Sequence, residues 1–474
     1  MLSTRHLLVS VGALALSGCM NLAPVYDRPE PPIPAELPGD QPGVAFDDLL
    51  AWEQVFLAPQ LRELIGLSLQ ENRDLRVAAS SIEIARAQYG LSRSALLPTV
   101  SASGSLVEGG RFDTNGPNNS SFRDSAIAQI GITGYELDFF GRVSNLSENA
   151  FQSYLATIEG ERAARIAVIA SVAELYIRLA TDRELLELAN DTVEAQSSSL
   201  NLTTELFNAG VATELDTRRA SASVESARAQ AAQYEAQIQQ DLNALRLVVG
   251  SRLPDMTETS AELLPSPVVL EFPASAPSEL LLNRPDVLAA ERQLIAANAN
   301  IGAARAALFP SITLTGRAGY TSSDLEDFFN SDVAGWSFGP SIDLPIFDAG
   351  ARQARITVSE AQKQQAIAQY EVAIQIAFQE TADALAVAET IDKRLSALET
   401  FAEDTRVTLE LSQERFTVGV DDYLSVLDAQ RQDYSARQQL ILARRDRALN
   451  AVALYRALGA APASDPEAVI ETNE

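Results

Sequence analysis

Phe207-Asn208-Ala209-Gly210-Val211 returns later in the chain as Phe416-Thr417-Val418-Gly419-Val420. Working outward, Leu245-Arg246-Leu247-Val248-Val249-Gly250 answers Leu454-Tyr455-Arg456-Ala457-Leu458-Gly459, and Ala95-Leu96-Leu97-Pro98 answers Ala307-Leu308-Phe309-Pro310. Three landmarks in one order, at an offset of about 210 residues, mark a tandem duplication of one unit. The first copy covers 46–270 and the second 271–460. Each reads as helix, two strands, long helix, turn and returning helix.

The long helices are the most legible parts. Between 349 and 417 there is no Pro, and Gly350 is the only Gly. At 1.5 Å per residue this segment spans roughly 100 Å. Residues 142–208 match it in the first copy. The hairpins are thus expected over 142–249 and 349–458, turning at Gly210-Val211 and Gly419-Val420. The returning helices are only about 55–60 Å long, and helices 59–95 and 285–308 stacked above them make up the difference. Four such strands packed as an antiparallel coiled coil form a rod, with the turns at the end far from the strands.

The strands follow a different period. Ile312, Leu314, Gly316, Ala318 and Tyr320 alternate with Thr313, Thr315, Arg317 and Gly319, and Trp336, Phe338, Ile342, Leu344 and Ile346 alternate with polar neighbours. Val100, Ala102 and Leu106 likewise face away from Ser101, Ser103 and Ser105. Strand pairs are expected over 99–139 and 311–346, with a phase slip near Gly131 to Gly134 that suggests a bulge. Alternation of this kind fits a transmembrane barrel, and equally a half-buried soluble sheet. The long polar loops 107–125 and 321–335 favour the barrel. Four strands cannot close one, and open edges are not tolerated in lipid, so the barrel reading requires several chains to pool strands.

The N-terminus reads as a lipoprotein signal over 1–18. Arg5 and His6 precede the apolar run Leu7–Leu16, which ends in Leu16-Ser17-Gly18-Cys19, a lipobox-like site. Cys19 is the expected carrier of N-acyl diacylglycerol, and Met20 after it points to the outer membrane; an ordinary signal peptide with an incidental Cys is the alternative. Pro24, Pro29, Pro31, Pro32, Pro34, Pro38 and Pro42 give 19–45 the character of an extended tether. Residues 461–474 form an acidic tail expected to be disordered.

Composition excludes much chemistry. His6 and Cys19 are the single His and Cys of the chain, and both lie at its start. No catalytic residue or metal ligand is assigned: a Ser-His-Asp triad, a Cys-His pair and an imidazole zinc site are all ruled out. A carboxylate-only hydrolase remains conceivable, but the unbroken helices speak against a compact enzyme. With 64 Asp+Glu against 36 Lys+Arg, the net charge of −28 argues against a nucleic-acid partner.

Three motifs carry a family resemblance. They are Leu282-Asn283-Arg284-Pro285-Asp286-Val287 with its continuation through Ala296–Arg305 to Phe309-Pro310-Ser311-Ile312; Tyr135-Glu136-Leu137-Asp138-Phe139-Phe140-Gly141-Arg142; and Gly419 through Arg431. In these the chain resembles TolC-type outer-membrane factors of the OprM/NodT-like lipoprotein subfamily. The resemblance implies a mixed α+β membrane protein that assembles as a homotrimer. Four transmembrane β-strands per chain would form a twelve-stranded barrel, continued by a coiled-coil α-helical tunnel into the periplasm. It implies no cofactor, and the role of exit duct in a tripartite efflux pump. The partners would be a periplasmic membrane-fusion adaptor, an inner-membrane resistance-nodulation-division transporter and outer-membrane lipid. A type I protein-secretion duct and a periplasmic coiled-coil scaffold are the competing readings.

The resemblance also singles out residues. Gly210, Val211, Gly419 and Val420 are expected to dock the adaptor, although a Gly at such a turn also simply relieves a positive φ. Leu424 and Asp428, four apart on one helical face, correspond to family positions lining the closed aperture; spacing alone would make Leu424 a coiled-coil knob and Asp428 a solvated acid. Some relatives carry a basic residue on the long helix where Ala384-Leu385-Ala386-Val387-Ala388-Glu389 stands here. The electrostatic lock would then be weaker, or its basic partner would shift to Arg431 or Arg218. By offset Asp216 is a further gate candidate.

Overall fold

The computed structural model describes residues 20–37, 52–108, 125–254, 278–322 and 334–459. In chain order they form α1 (Trp52–Val55), α2 (Pro59–Glu71), α3 (Arg73–Ser94), β1 (Val100–Val107), β2 (Ser125–Leu137), α4 (Arg142–Asn208) and α5 (Glu214–Val249). A 3-10 turn (Ser278–Asn283) leads into α6 (Pro285–Ala306), β3 (Ser311–Ser322), β4 (Ala334–Asp343), α7 (Ala351–Thr417) and α8 (Tyr423–Ala457). Cys19, most of both strand-joining loops and the tail after Gly459 lie outside the described residues.

The duplication is visible in the backbone. α4 and α7 are each 67 residues long. Left-handed glycines recur in pairs, Gly141 with Gly350, Gly210 with Gly419 and Gly250 with Gly459, each pair 209 residues apart. They mark where each long helix begins, where the hairpin turns and where the returning helix ends. The chain divides into two compact units: the described parts of Met1–Glu30, Ser81–Ile158 and Ala289–Glu371 in one, and those of Pro31–Ser80, Glu159–Leu288 and Val372–Glu474 in the other.

The first unit holds the sheet, antiparallel in the order β1-β2-β3-β4. Val100 pairs with Ile132, Ala128 with Tyr320 and Ala318 with Trp336. The register slips between Ile132 and Tyr135 around Gly134, at the place where the alternation changes phase. β4 stops at Asp343, short of the expected 346, because its partner Ser311 is the first residue of β3 and the ladder has no strand to continue on. Every residue of β1 and nearly every residue of β4 is exposed, including Trp336 at 81%, Phe338 and Ile342. A soluble half-buried sheet would hide one face; among the described residues β1 and β4 hide neither of theirs. No described helix is long and apolar enough to cross a membrane.

Residues 20–30 are not a free tether. The Met20 amide donates to the Phe139 carbonyl at 3.1 Å, Asn145 Nδ2 to Asn21 Oδ1 at 2.8 Å, and Asn298 Nδ2 to the Pro24 carbonyl at 2.8 Å. Arg28 forks onto Glu291, with Nε 2.6 Å from Oε1, and the Tyr26 hydroxyl donates to the same carboxylate at 3.1 Å. A Cβ on Gly302 of α6 would stand 2.8 Å from Ala23, so the absent side chain makes the seat for this strap. The proline content lowers the entropy cost of holding it extended.

The second unit carries the main apolar core. Phe56, Leu61, Leu64 and Ile65 pack with Ile169, Val172, Ala173 and Ile177 of α4, Leu245 and Val249 of α5, and Val452 and Tyr455 of α8. Each of the Phe, Leu, Ile and Val side chains contributes roughly 1.5–3 kcal/mol on burial. The helix expected over 59–95 is broken at Asn72, whose extended backbone separates α2 from α3. Asn72 Nδ2 donates to the Val248 carbonyl at 2.6 Å while its Oδ1 accepts from the Leu75 amide at 3.0 Å. Arg284 occupies the equivalent place in the second copy. It donates to the Ala457 carbonyl at 2.6 Å and pairs with Asp286 and Glu380, each at 2.8 Å.

Candidate aperture and docking tips

Both hairpin tips are built from the backbone outward. After Asn208 the chain leaves α4 through Gly210 at φ 81°, and the Val211 amide reaches back to the Leu206 carbonyl at 2.9 Å. After Thr417 it leaves α7 through Gly419 at φ 76°, and the Val420 amide reaches back to the Arg415 carbonyl at 2.9 Å. A side chain at either glycine would cost about 1 kcal/mol in this conformation. Val211 and Val420 stand out at the turns, 73% and 60% exposed.

The next residues restart the helices by mirrored chemistry. Thr213 caps α5: its Oγ1 accepts from the Asp216 amide at 3.3 Å, while Asp216 Oδ2 accepts from the Thr213 amide at 3.0 Å, closing a capping box. These bonds from Thr213 hold the Asp216 carboxyl below its ordinary range. Asp422 caps α8, accepting from the Ser425 amide at 3.1 Å and from its hydroxyl at 3.0 Å. Asp422 thus takes the place of Thr213, while Asp216 is committed to the return bond from the Thr213 amide.

The second tip has an additional closure. Arg415 and Asp421 form a forked pair, Nε to Oδ2 at 2.6 Å and Nη2 to Oδ1 at 2.9 Å. The Arg415 guanidinium holds the Asp421 carboxyl below the usual carboxylate range. Six residues separate its members and only the turn brings them together, so their spacing along the sequence does not announce the pair.

Past this tip, α8 has two faces. Tyr423, Val426 and Leu427 are buried against Ala220 of α5, with Leu200 and Phe416 alongside. Leu424 and Asp428 lie on the other face and are exposed within the chain. Leu424 is thus no knob of the intrachain coiled coil. Arg431 Nη1 lies 3.9 Å from Asp428 Oδ1. Arg218, the other basic candidate, pairs with Glu214 at 3.3 Å instead. In this unit α8 is tied to α4 through Arg437–Asp191, Arg444–Glu184 and Arg456–Glu174, at 3.8–3.9 Å.

Comparison with known proteins adds to this geometry. The family model described as "Outer membrane efflux protein" matches residues 64–251 and 276–460, once per repeat. The solvent efflux pump outer membrane protein SrpC of Pseudomonas putida is 43% identical over 455 residues, covering 94% of this chain and 96% of the relative. The cation efflux system protein CusC of Escherichia coli is 38% identical, again over 94% and 96%. Among solved structures, CusC superimposes with a TM-score of 0.85 at 35% identity, covering 93% of this chain and all of that one. The open state of the Neisseria gonorrhoeae MtrE outer membrane channel gives 0.84 at 36% identity, covering 94% and 99%. Through the repeat-by-repeat match, the identity along nearly the whole chain and the shared fold, this chain belongs to the outer membrane efflux protein family and is an efflux channel component of the outer membrane.

Proposed function

We propose that the chain is the exit duct of a tripartite efflux pump, passively conducting drugs or other small molecules to the exterior. The observation that carries this reading is the sheet: among the described residues its four strands end in β1 and β4 at the edges, and both edge strands are exposed on both faces. Backbone edges are not stable in lipid, and four strands are too few to close. Three chains contributing twelve strands satisfy both conditions, and their long helices continue the duct into the periplasm. Cys19 carries the N-acyl diacylglycerol, and the strap from Met20 to Arg28 fixes that anchor to the first unit.

In this reading Gly210-Val211 and Gly419-Val420 meet the periplasmic adaptor, which couples the duct to an inner-membrane resistance-nodulation-division transporter. Leu424 and Asp428, repeated by threefold symmetry, form an apolar and an acidic ring at the closed aperture. Arg431 partners the acid within each chain. Rings of this kind constrict and select in pores. Asp216 serves as a capping residue first and belongs to the aperture only secondarily.

Light scattering on the detergent-solubilised lipoprotein tests the assembly. The expected mass is three chains. A monodisperse monomer that keeps its β-signal contradicts the shared barrel.

A further inference from the structure

Where the sheet gives way to the long helices, the first unit holds a cavity of about 270 Å³. Its walls come from the ends of β2 and β4, the start of β3, the end of α6 and the first residues of α4 and α7. Phe140 and Phe309 line it as a stacked pair with ring centroids 4.7 Å apart, and Phe139 lines it too. An apolar wall with a few charged groups is the make-up of a ligand pocket, and this one is at the small end of their range.

The duplication leaves two of those charges spare. In the first copy Glu136 and Arg142 close a fork across Gly141, with Nε 2.8 Å from Oε1. In the second copy the acid is Asp343, and the run to the matching Gly350 is two residues longer. Asp348 lies in that extra length and caps α7, accepting from the Gly350 and Arg352 amides, each at 3.0 Å. The Arg352 guanidinium comes only to 3.6 Å from it, beyond hydrogen-bond reach. Among the described residues Asp343 has no ion-pair partner. A carboxylate without a cation and a guanidinium without a close acceptor thus line one cavity with an aromatic wall.

We propose that this cavity binds the headgroup of a zwitterionic phospholipid that carries a primary ammonium. The ammonium donates to the Asp343 carboxylate, the Arg352 guanidinium donates to the phosphate, and the phenyl rings cover the glycerol. A bare phosphate would be repelled by Asp343, and a simple organic cation would leave Arg352 without an acceptor; a headgroup with one charge of each sign meets both. The proposal rests on the reading of the sheet as spanning lipid. In that reading the ends of β2, β3 and β4 lie at the membrane surface, where aromatic girdles sit. Ile346 and Phe347, just past β4, are 94% and 89% exposed and extend the apolar surface there. The acyl chains would run along Ile342, Phe338 and Trp336, which share one exposed face of β4.

Native mass spectrometry of the full-length protein, released from detergent after incubation with one lipid at a time, tests this. Phosphatidylethanolamine should be retained more strongly than phosphatidylcholine, whose ammonium has no N–H, and than phosphatidylglycerol, which has no ammonium. Asp343→Ala and Arg352→Ala should each lower retained phosphatidylethanolamine roughly tenfold, the loss of one charge-assisted hydrogen bond. Assembly mass and melting temperature should not change. Soluble phosphoethanolamine, which lacks the chains, should not displace the lipid. Equal retention of the three lipids, wild-type retention in both variants, or displacement by the free headgroup would overturn the proposal. Failure of the lipid-spanning reading would show separately, as a wild-type chain that inserts into vesicles of none of the three lipids, and would take the proposal with it.

Discussion

The two hairpin tips share one backbone and differ in what holds it. Each turns through a left-handed glycine and bonds back to the carbonyl four residues before it. The first tip is closed by the Thr213–Asp216 capping box, and the second by the Asp422 cap and the Arg415–Asp421 fork. In the second hairpin, Arg394–Asp446 and Arg447–Asp392 stitch the stem at 3.1 and 3.2 Å. The lesson is a division of labour. Duplication supplies the geometry twice, and the side chains then specialise. The second hairpin presents Leu424 and Asp428 on a free helical face, while Asp216 at the first is spent on its cap.

The largest expected effect breaks what the tips share. A charge at an apolar contact is costly to desolvate, so Val211→Asp and Val420→Asp should each greatly reduce drug resistance in complemented cells. Trimer yield and bilayer conductance should not change. If either variant exports normally, that tip does not dock, and the two tips differ in more than side-chain detail.

A smaller effect separates them. Thr213→Ala removes a cap worth about 0.5–2 kcal/mol and should fray the start of α5. Hydrogen exchange should quicken at Asp216 and Thr217 and leave the second tip untouched. The Asp216 carboxyl should titrate closer to its ordinary value, because the bonds that lower it come from Thr213.

Smallest is the fork. Arg415→Ala at an exposed pair should barely move the melting temperature. The sign of its pH dependence is fixed: Asp421 is held low by Arg415, so the fork contributes above the ordinary carboxyl range and is lost as pH falls through it. NMR titration of Asp421 in wild type and Arg415→Ala should show the carboxyl rise in the variant. Equal titrations in both would mean that the fork does not persist in solution.

What was legible followed from repetition and period. The motif pair at Gly210 and Gly419 located both turns, the absence of Pro placed α4 and α7, and the change of phase near Gly131 found the bulge. The break at Asn72 was not legible. Asn fits a helical pattern, and what ends the helix is a partner 176 residues away at the Val248 carbonyl. In the sequence the strap reads as a tether because its prolines announce extension, while its seat depends on Glu291, Asn298 and the bare Gly302 of a distant helix. Thr213-x-x-Asp216 is a readable capping signal, and weighing it would have placed Asp216 at a cap before any gate. The Arg415–Asp421 fork needs the turn closed before its spacing has meaning.

Single-channel conductance in planar bilayers tests the division of labour most directly. Leu424→Ala with Asp428→Ala should open the closed trimer and raise conductance several-fold, because both rings that narrow the passage are gone. Leu215→Ala with Asp216→Ala, the matching change at the first hairpin, should leave it near the wild-type level. If the first pair leaves conductance unchanged, or the second pair opens the channel as much, the aperture does not belong to the second hairpin.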